Sequence, residues 1–257
     1  MTKTAVVESN QTTAVATTAL EQQFLADANG GFEEADSSSF AIPFLQVLQS
    51  GSPQCKKSDG AYIKGAEEGM LYNSVTQEVY SGEEGLIVIP CHYQHRISEW
   101  KLREQGGGFV ASHDADYMSK VAVTKDDKGR DITPQGTQLV DTRYHYVMIC
   151  GKDGSLSPAL ILMASTQQKR SKQWMSKMQG IKIKDANGNF VTAPMASRKY
   201  KITTVAESND KGSWFSWNIQ LHSLVEDMGE YRAACDFRDA VKSGAAKMSS
   251  DSAKEEF

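Results

Sequence analysis

Short runs of apolar and β-branched residues, separated by turn residues, recur along most of this 257-residue chain. The clearest predicted strands cover residues 86–93, 142–150, 156–164, 200–205 and 214–221. One helix is expected between the third and fourth of these strands, and another at about residues 230–242. Many short strands with few helices are typical of β-barrels and β-sandwiches. The sequence therefore predicts a mainly β protein with added helices.

A basic segment follows the predicted strand at residues 156–164. Ser165 or Thr166 can cap a helix that runs to about Gln179, because Gly180 is a natural stop. The helix and the residues after it are rich in cations, and Asp185 is the one acid among them. Cations at this density suit a polyanion, because they neutralise phosphates. We expect phosphate contacts from Lys169, Arg170, Lys172, Lys177, Lys182, Arg198, Lys199 and Lys201.

Aromatic side chains are interleaved with these cations. Rings stack on bases while cations bind the backbone, so the mixture favours single-stranded nucleic acid. The expected stacking residues are Trp174, Tyr200 and Trp214, with Tyr93, Trp100, Tyr144 and Tyr146 as further candidates. Among small barrels the OB-fold commonly binds single strands, so we predict an OB-fold-like partly open β-barrel. In the alternative interpretation, Trp174, Met175 and Met178 form the core face of an ordinary amphipathic helix with solvated lysines.

The net charge of -4 conceals an uneven distribution of charge along the chain. Residues 1–40 carry one lysine and six acidic residues, and residues 250–257 carry one lysine and three acidic residues. Residues 41–249 therefore hold a net charge of +3. A mildly basic body between acidic ends is compatible with nucleic-acid binding.

Composition divides the chain into an arm, a body and a tail. Residues 1–39 are rich in Thr, Ala, Gln and Ser, which is typical of a disordered arm, and residues 40–247 form the expected nucleic-acid-binding domain. Residues 248–257 form an acidic tail in which Asp251, Glu255, Glu256 and Phe257 are the expected partner-binding residues. Such a tail can occupy the protein's own cationic groove, and it offers partner proteins one apolar anchor surrounded by charge.

The basic aromatic body and the acidic tail that ends in phenylalanine resemble the single-stranded DNA-binding replication proteins of tailed bacteriophages. Residues 165–174 and 236–244 are also similar to segments of phage proteins often given that description. The resemblance implies an OB-fold, coating of single strands during replication and recombination, and recruitment of a polymerase or helicase through the tail.

No pattern in the sequence indicates catalysis, a cofactor or a metal site. The five histidines accompany no serine elbow and no HExxH motif, and the segment from His113 to Asp116 reads as a solvated loop. The four cysteines form no CxxC pair. No apolar run approaches the length of a membrane span, and no signal peptide is evident. We therefore expect a binding protein that is not an enzyme and that works in the cytoplasm, the host's if the protein is phage-encoded.

Two other functions fit the same features. A β-rich phage protein with a flexible arm could be a virion accessory or another structural protein, or a strand-annealing recombination protein. A homo-oligomer is also compatible with the sequence. The exposure of Trp174, Tyr200 and Trp214 distinguishes these hypotheses, because a stacking residue must reach the ligand. If these rings are buried and the lysines scattered, DNA binding loses its main sequence-based support.

Overall fold

A computed structural model describes residues 18–28, 30–35, 41–210 and 212–246. The chain divides into two compact units, Met1–Asp36 and Ser37–Phe257. The described part of the first unit contains the helix α1, Ala19–Ala26, whose residues are all exposed. Thr18 and Glu21 form a capping box at its start, because each accepts a hydrogen bond from the other's backbone N–H group. A short helix thus forms within the arm that the sequence predicts to be largely disordered.

The described part of the second unit is mainly β, with two further helices. Its strands are β1 (Leu45–Val47), β2 (Leu71–Asn73), β3 (Val79–Tyr80), β4 (Leu86–Trp100), β5 (Phe109–Asp114), β6 (Thr124–Lys125), β7 (Asp131–Ile132), β8 (Gln138–Cys150), β9 (Leu156–Ala164), β10 (Lys182–Lys184), β11 (Phe190–Thr192), β12 (Arg198–Asn209) and β13 (Gly212–Leu224). Its helices are α2 (Gln168–Gly180) and α3 (Met228–Ser243).

Five long strands build a curled, partly open barrel. They pair antiparallel in the order β13-β12-β4-β8-β9, and α2 lies in the chain between β9 and β12. Among the described residues no ladder joins β9 to β13, so the barrel stays open along this line, here called the seam. The predicted OB-fold-like partly open barrel is thereby confirmed.

The curvature of the barrel depends on β4. This strand pairs with β8 along almost its whole length, with β12 at its beginning and with β5 at its end. The register with β8 shifts between Pro90 and His92, which marks a β-bulge. A bulge bends its strand and increases the local twist. One strand can therefore contribute to both halves of the curled sheet.

The barrel interior is closed by α2. Trp174 and Met178 lie on one face of this helix and pack against buried residues of the strands, among them Ile161, Met163 and Tyr200. These side chains recur at helical spacing, so the helix buries one stripe and leaves the other in water. Trp174 and Met178 are therefore core residues, as in the alternative interpretation, whereas Met175 is only partly buried.

The outer face of β8 and β9 is covered by α3 and by the segment before β1. Tyr144, Tyr146 and Leu160 form a second buried cluster together with Phe44 and Val241. Asp227 caps the start of α3 by accepting a hydrogen bond from the Glu230 N–H group at 2.9 Å. The barrel therefore has buried side chains on both sides of these two strands.

Two glutamine side chains and one short segment bridge the seam. The Leu160 N–H group on β9 donates to the Pro43 carbonyl at 2.8 Å. Across the seam, the side-chain amide of Gln49 donates to the Phe215 carbonyl at 2.9 Å and accepts from the Phe215 N–H group at 2.8 Å. Gln167 accepts hydrogen bonds from the Ser216 hydroxyl and the Trp217 N–H group. The backbone of this edge of β13 is thus satisfied without a neighbouring strand.

One local prediction needs correction, and two further details are new. The helix does not start at a Ser165 or Thr166 cap, because Ser165–Gln167 form a 3₁₀ turn and α2 begins at Gln168 without a side-chain cap hydrogen bond. Leu221, at the end of the predicted strand 214–221, is 56% exposed. The segment before β8 contains two short strands, β6 and β7, that extend the sheet.

Close packing at Gly85 makes one strong stability prediction. A Cβ atom at this position would lie 2.1 Å from the Ile202 carbonyl oxygen, and the φ angle of +68° is unfavourable for other residues. We expect Gly85→Ala to lower the free energy of unfolding by about 2 kcal/mol or more. Gly60→Ala is the matched control, because nothing lies within 4 Å of its Cβ position. Equal urea midpoints for both variants would contradict this packing.

The buried His145 predicts a pH dependence of stability. Its Nε2 atom lies 2.7 Å from the Ser171 hydroxyl, its ring stacks on Trp174, and burial lowers its pKa from 6.5 to about 3. The unfolded chain binds a proton that the folded chain excludes, so stability should fall as the pH falls from about 6.5 towards 3.

Urea unfolding at several pH values tests this expectation. His145→Gln should flatten the pH dependence of the unfolding free energy in this window. His222→Gln, at an exposed position, should leave it as in the wild type. An unchanged pH slope in the His145 variant would refute the buried neutral imidazole.

Candidate nucleic-acid interface

The basic helix α2 presents several of its predicted cations to solvent. Lys169, Lys172 and Lys177 are exposed, and the buried face between them carries Ser171, Trp174 and Met178. The Lys177 ammonium also donates to the Ile219 carbonyl at 3.1 Å. The helix therefore offers positive charge to a ligand, but its aromatic side chain belongs to the core.

Most of the predicted stacking residues are core residues. Trp100, Tyr144, Tyr146, Trp174 and Tyr200 are each no more than 5% exposed. Their burial leaves little ring surface open to a base, so the accessibility of these residues gives the predicted stacking no support. Alternation along β8 identifies Tyr144 and Tyr146 as neighbours on one face. It carries no information about α3, which covers that face.

Two predicted stacking residues remain partly accessible. Tyr93 is half-buried, with its ring centroid 5.2 Å from that of His145. Trp214 is also half-buried, and its indole N–H group donates to the Glu207 carboxylate at 3.1 Å. The same carboxylate forms an ion pair with Arg170. Trp214 is thus held in place by Glu207, which is in turn held by Arg170 in the first turn of α2.

The remaining predicted cations are divided between different contacts. Lys199 pairs with Glu230 of α3 at 2.6 Å, and this hydrogen bond raises the pKa of the lysine. Arg198 donates to the Ser197 carbonyl at 2.9 Å, and Lys201 is half-buried. Lys182 is exposed on β10. The basic residues of β12 and Arg170 of α2 therefore belong partly to the internal structure, whereas the lysines of α2 and β10 face solvent.

A cleft of about 450 Å³ lies at one end of the seam. Its walls combine aromatic and aliphatic residues with glutamines, hydroxyl residues and one arginine: Phe44, Leu45, Gln46, Val47, Gln49, Ser50, Gly51, Trp100, Arg103, Leu162, Ala164, Ser165, Thr166, Gln167, Ser213, Trp214 and Trp217. Its volume is within the range of small-molecule and cofactor sites, and it combines apolar walls with a few polar groups.

The elements around this cleft are those that hold ligands in OB-folds. Arg103 belongs to the long connection between the first two barrel strands, β4 and β8, and Trp214 follows the turn between the last two, β12 and β13. In OB-folds, these two loops and the face of the second and third strands bind oligonucleotides. Here that strand face is covered by α3, so the loops and the cleft are the accessible part.

Sequence reasoning missed most of the cleft. Of the predicted residues, Trp100 and Trp214 line it, whereas Gln46 and Gln49 come from a segment that carried no motif. The apolar patch at residues 42–48 indicates where order begins, but not that the chain there runs beside β9 and reaches across to β13. Such a long-range contact leaves no local pattern.

Some predictions fall on residues outside the described ranges. Asp251, Glu255, Glu256 and Phe257 of the tail are among them, as are residues 1–17 of the arm. The segment from His113 does contain an ordered pair, in which the His113 ring is 2.7 Å from Glu99 and stacks on Tyr117. Across the described ranges, no three His, Cys, Asp or Glu residues come together as a metal site.

None of the described helices is long and apolar enough to cross a membrane. No curated protein and no solved structure matches the chain. A family model described as Pam3 phage gp34-like protein matches residues 10–247, which is most of the sequence. This chain therefore belongs to the Pam3 phage gp34-like family, and it is a bacteriophage protein.

Proposed function

We propose that this protein binds single-stranded DNA without sequence preference and has no catalytic activity. In this role it coats single strands during phage replication and recombination, and its acidic tail recruits a polymerase or helicase. The observation that carries the proposal is the tryptophan-lined cleft at the opening of an OB-like barrel. Cleft and loops together correspond to the part of this fold that holds oligonucleotides.

Stacking supplies the first part of the binding energy. Trp214 is half-buried, so one part of its indole ring is fixed by the protein and another part can receive a base. Its orientation is set by Glu207, which Arg170 in turn holds. A pre-positioned ring loses little conformational entropy when a base stacks on it. Each such stack contributes about 1–3 kcal/mol to binding and tolerates any base.

Positive charge beside the cleft supplies the second part. Ser165–Gln167 line the cleft and lead directly into α2, so the N-terminal end of this helix lies close to the ligand. Lys169 and Lys172 are exposed on its first two turns, and Arg103 lines the cleft. Helix N-termini and lysines both attract phosphate. Release of counterions from the DNA then makes binding favourable and dependent on salt.

The first test is a salt titration of oligo-dT binding, followed by tryptophan quenching, with duplex DNA in parallel. We expect single strands to bind more tightly than duplex. Trp214→Ala should weaken binding about tenfold, whereas Trp214→Phe should keep most of the affinity because it retains a ring. Joint substitution of Lys169 and Lys172 by alanine should lower the log–log salt slope by about 1.4, at about 0.7 per neutralised phosphate.

Lys152→Ala provides the matched charge control. This lysine lies in the turn between β8 and β9, at the other end of β9 from the cleft, and its side chain is 99% exposed. It should bind oligo-dT as the wild type does. If the wild-type protein binds neither single strands nor duplex at low salt, the proposed function is wrong and a structural or partner-binding role takes its place.

Deletion of residues 251–257 tests the role of the tail. These residues carry three acids, one lysine and Phe257. If the tail competes with DNA for the cationic surface, its removal should tighten oligo-dT binding at low salt, and the effect should fade as salt screens the charges. Unchanged or weaker binding by the shortened protein at low salt would show that the tail does not occupy the DNA site.

A further inference from the structure

The β10–β11 hairpin exposes both of its faces. Its strands pair antiparallel, with Ile183 opposite Val191 and Lys184 opposite Phe190, and all six strand residues are exposed. A two-stranded hairpin is only marginally stable alone in water, because it buries little apolar surface. An ordered hairpin of this kind therefore suits contact with a partner.

The turn of this hairpin is well formed and uses its acidic residue. The Asp185 carboxylate accepts hydrogen bonds from the Asn187 and Asn189 N–H groups, both at 2.8 Å. The bond from Asn189 is the largest cause of the lowered pKa of Asp185. Gly188 supplies the positive φ angle of +82° that the turn requires. The acid is thus engaged within the turn, and the strands carry the cations Lys182 and Lys184.

Phe190 is the most exposed large apolar residue of the second unit's described part. Its side chain is 70% exposed, and the Lys184 ammonium lies 5.4 Å from the centroid of its ring. An accessible ring beside two lysines is the combination by which proteins bind single-stranded nucleic acid, because bases stack while phosphates are neutralised. A protein partner fits less well, since the cores of protein interfaces are depleted in lysine.

The solvent-facing stripe of α2 connects the cleft with this hairpin. Lys169, Lys172, Ser176 and Gly180 recur at helical spacing and are all exposed. The helix has 13 residues and is therefore about 20 Å long. In the sequence, α2 begins directly after residues that line the cleft, and it ends directly before the hairpin. The base of the hairpin is closed by a hydrogen bond from the Ala193 N–H group to the Ile181 carbonyl at 2.9 Å. A strand leaving the cleft along α2 thus reaches Phe190.

We propose that the β10–β11 hairpin is a second contact for single-stranded DNA, in which Phe190 stacks on a base while Lys182 and Lys184 bind phosphates. This inference rests on the proposed function and deepens it, because it gives the bound strand a path: from the cleft, along α2, to the hairpin. None of the sequence patterns indicated Phe190.

The test compares oligo-dT of two lengths, about 4 and about 16 nucleotides, which span the site sizes of OB-folds. Phe190→Ala should weaken binding of the longer oligonucleotide about tenfold and leave the shorter one, held by the cleft, unchanged. Phe190→Tyr keeps a ring and should restore binding, whereas Phe190→Leu keeps apolar bulk alone and should not. Thermal unfolding checks that the variants are folded, as expected at an exposed position.

The outcomes separate this inference from the proposed function. If Trp214→Ala weakens binding of both lengths but Phe190→Ala weakens neither, DNA binding stands and the hairpin contact is wrong. If Phe190→Ala changes the sedimentation of the free protein but not its DNA affinity, the hairpin is a self-association surface and the inference is overturned. If the wild type binds no oligonucleotide, both fail together.

Discussion

The structure depends on how the barrel is closed where β9 and β13 do not pair. An open edge would leave backbone N–H and C=O groups without partners and the core exposed to water. Here the carbonyl of Pro43 satisfies β9, and the amides of Gln49 and Gln167 satisfy β13. Because side chains close the gap, a cleft remains beside them, and this cleft is the principal candidate binding site.

The sequence predicted the strands and helices of the barrel better than its site. Strong local patterns, such as the alternation along β8 and the stop at Gly180, report the covalent neighbourhood and therefore locate elements correctly. Whether the side chains of Trp174 and Tyr144 are buried depends instead on which distant element covers them. The roles of Gln49 and Gln167 depend on a partner far away along the chain. Neither dependence is encoded in a short window.

In the folded protein, the exposed lysines of α2 and the accessible aromatic rings lie in different parts of the molecule. The two properties overlap in the sequence around α2, but the structure turns Trp174 inward and leaves Lys169 and Lys172 outside. Accessible rings occur instead at the two ends of this helix, at Trp214 and Phe190. The helix is therefore the charged link between aromatic positions.

The bridge between Gln49 and Phe215 also has a kinetic consequence. These residues are 166 positions apart, so their hydrogen bonds join the beginning of the second unit to the last strand of the barrel. Contacts between such distant residues carry a high loop-closure cost and slow folding. A chain that has formed only its local hairpins has no finished cleft. The cleft is thus complete only when these distant segments have come together.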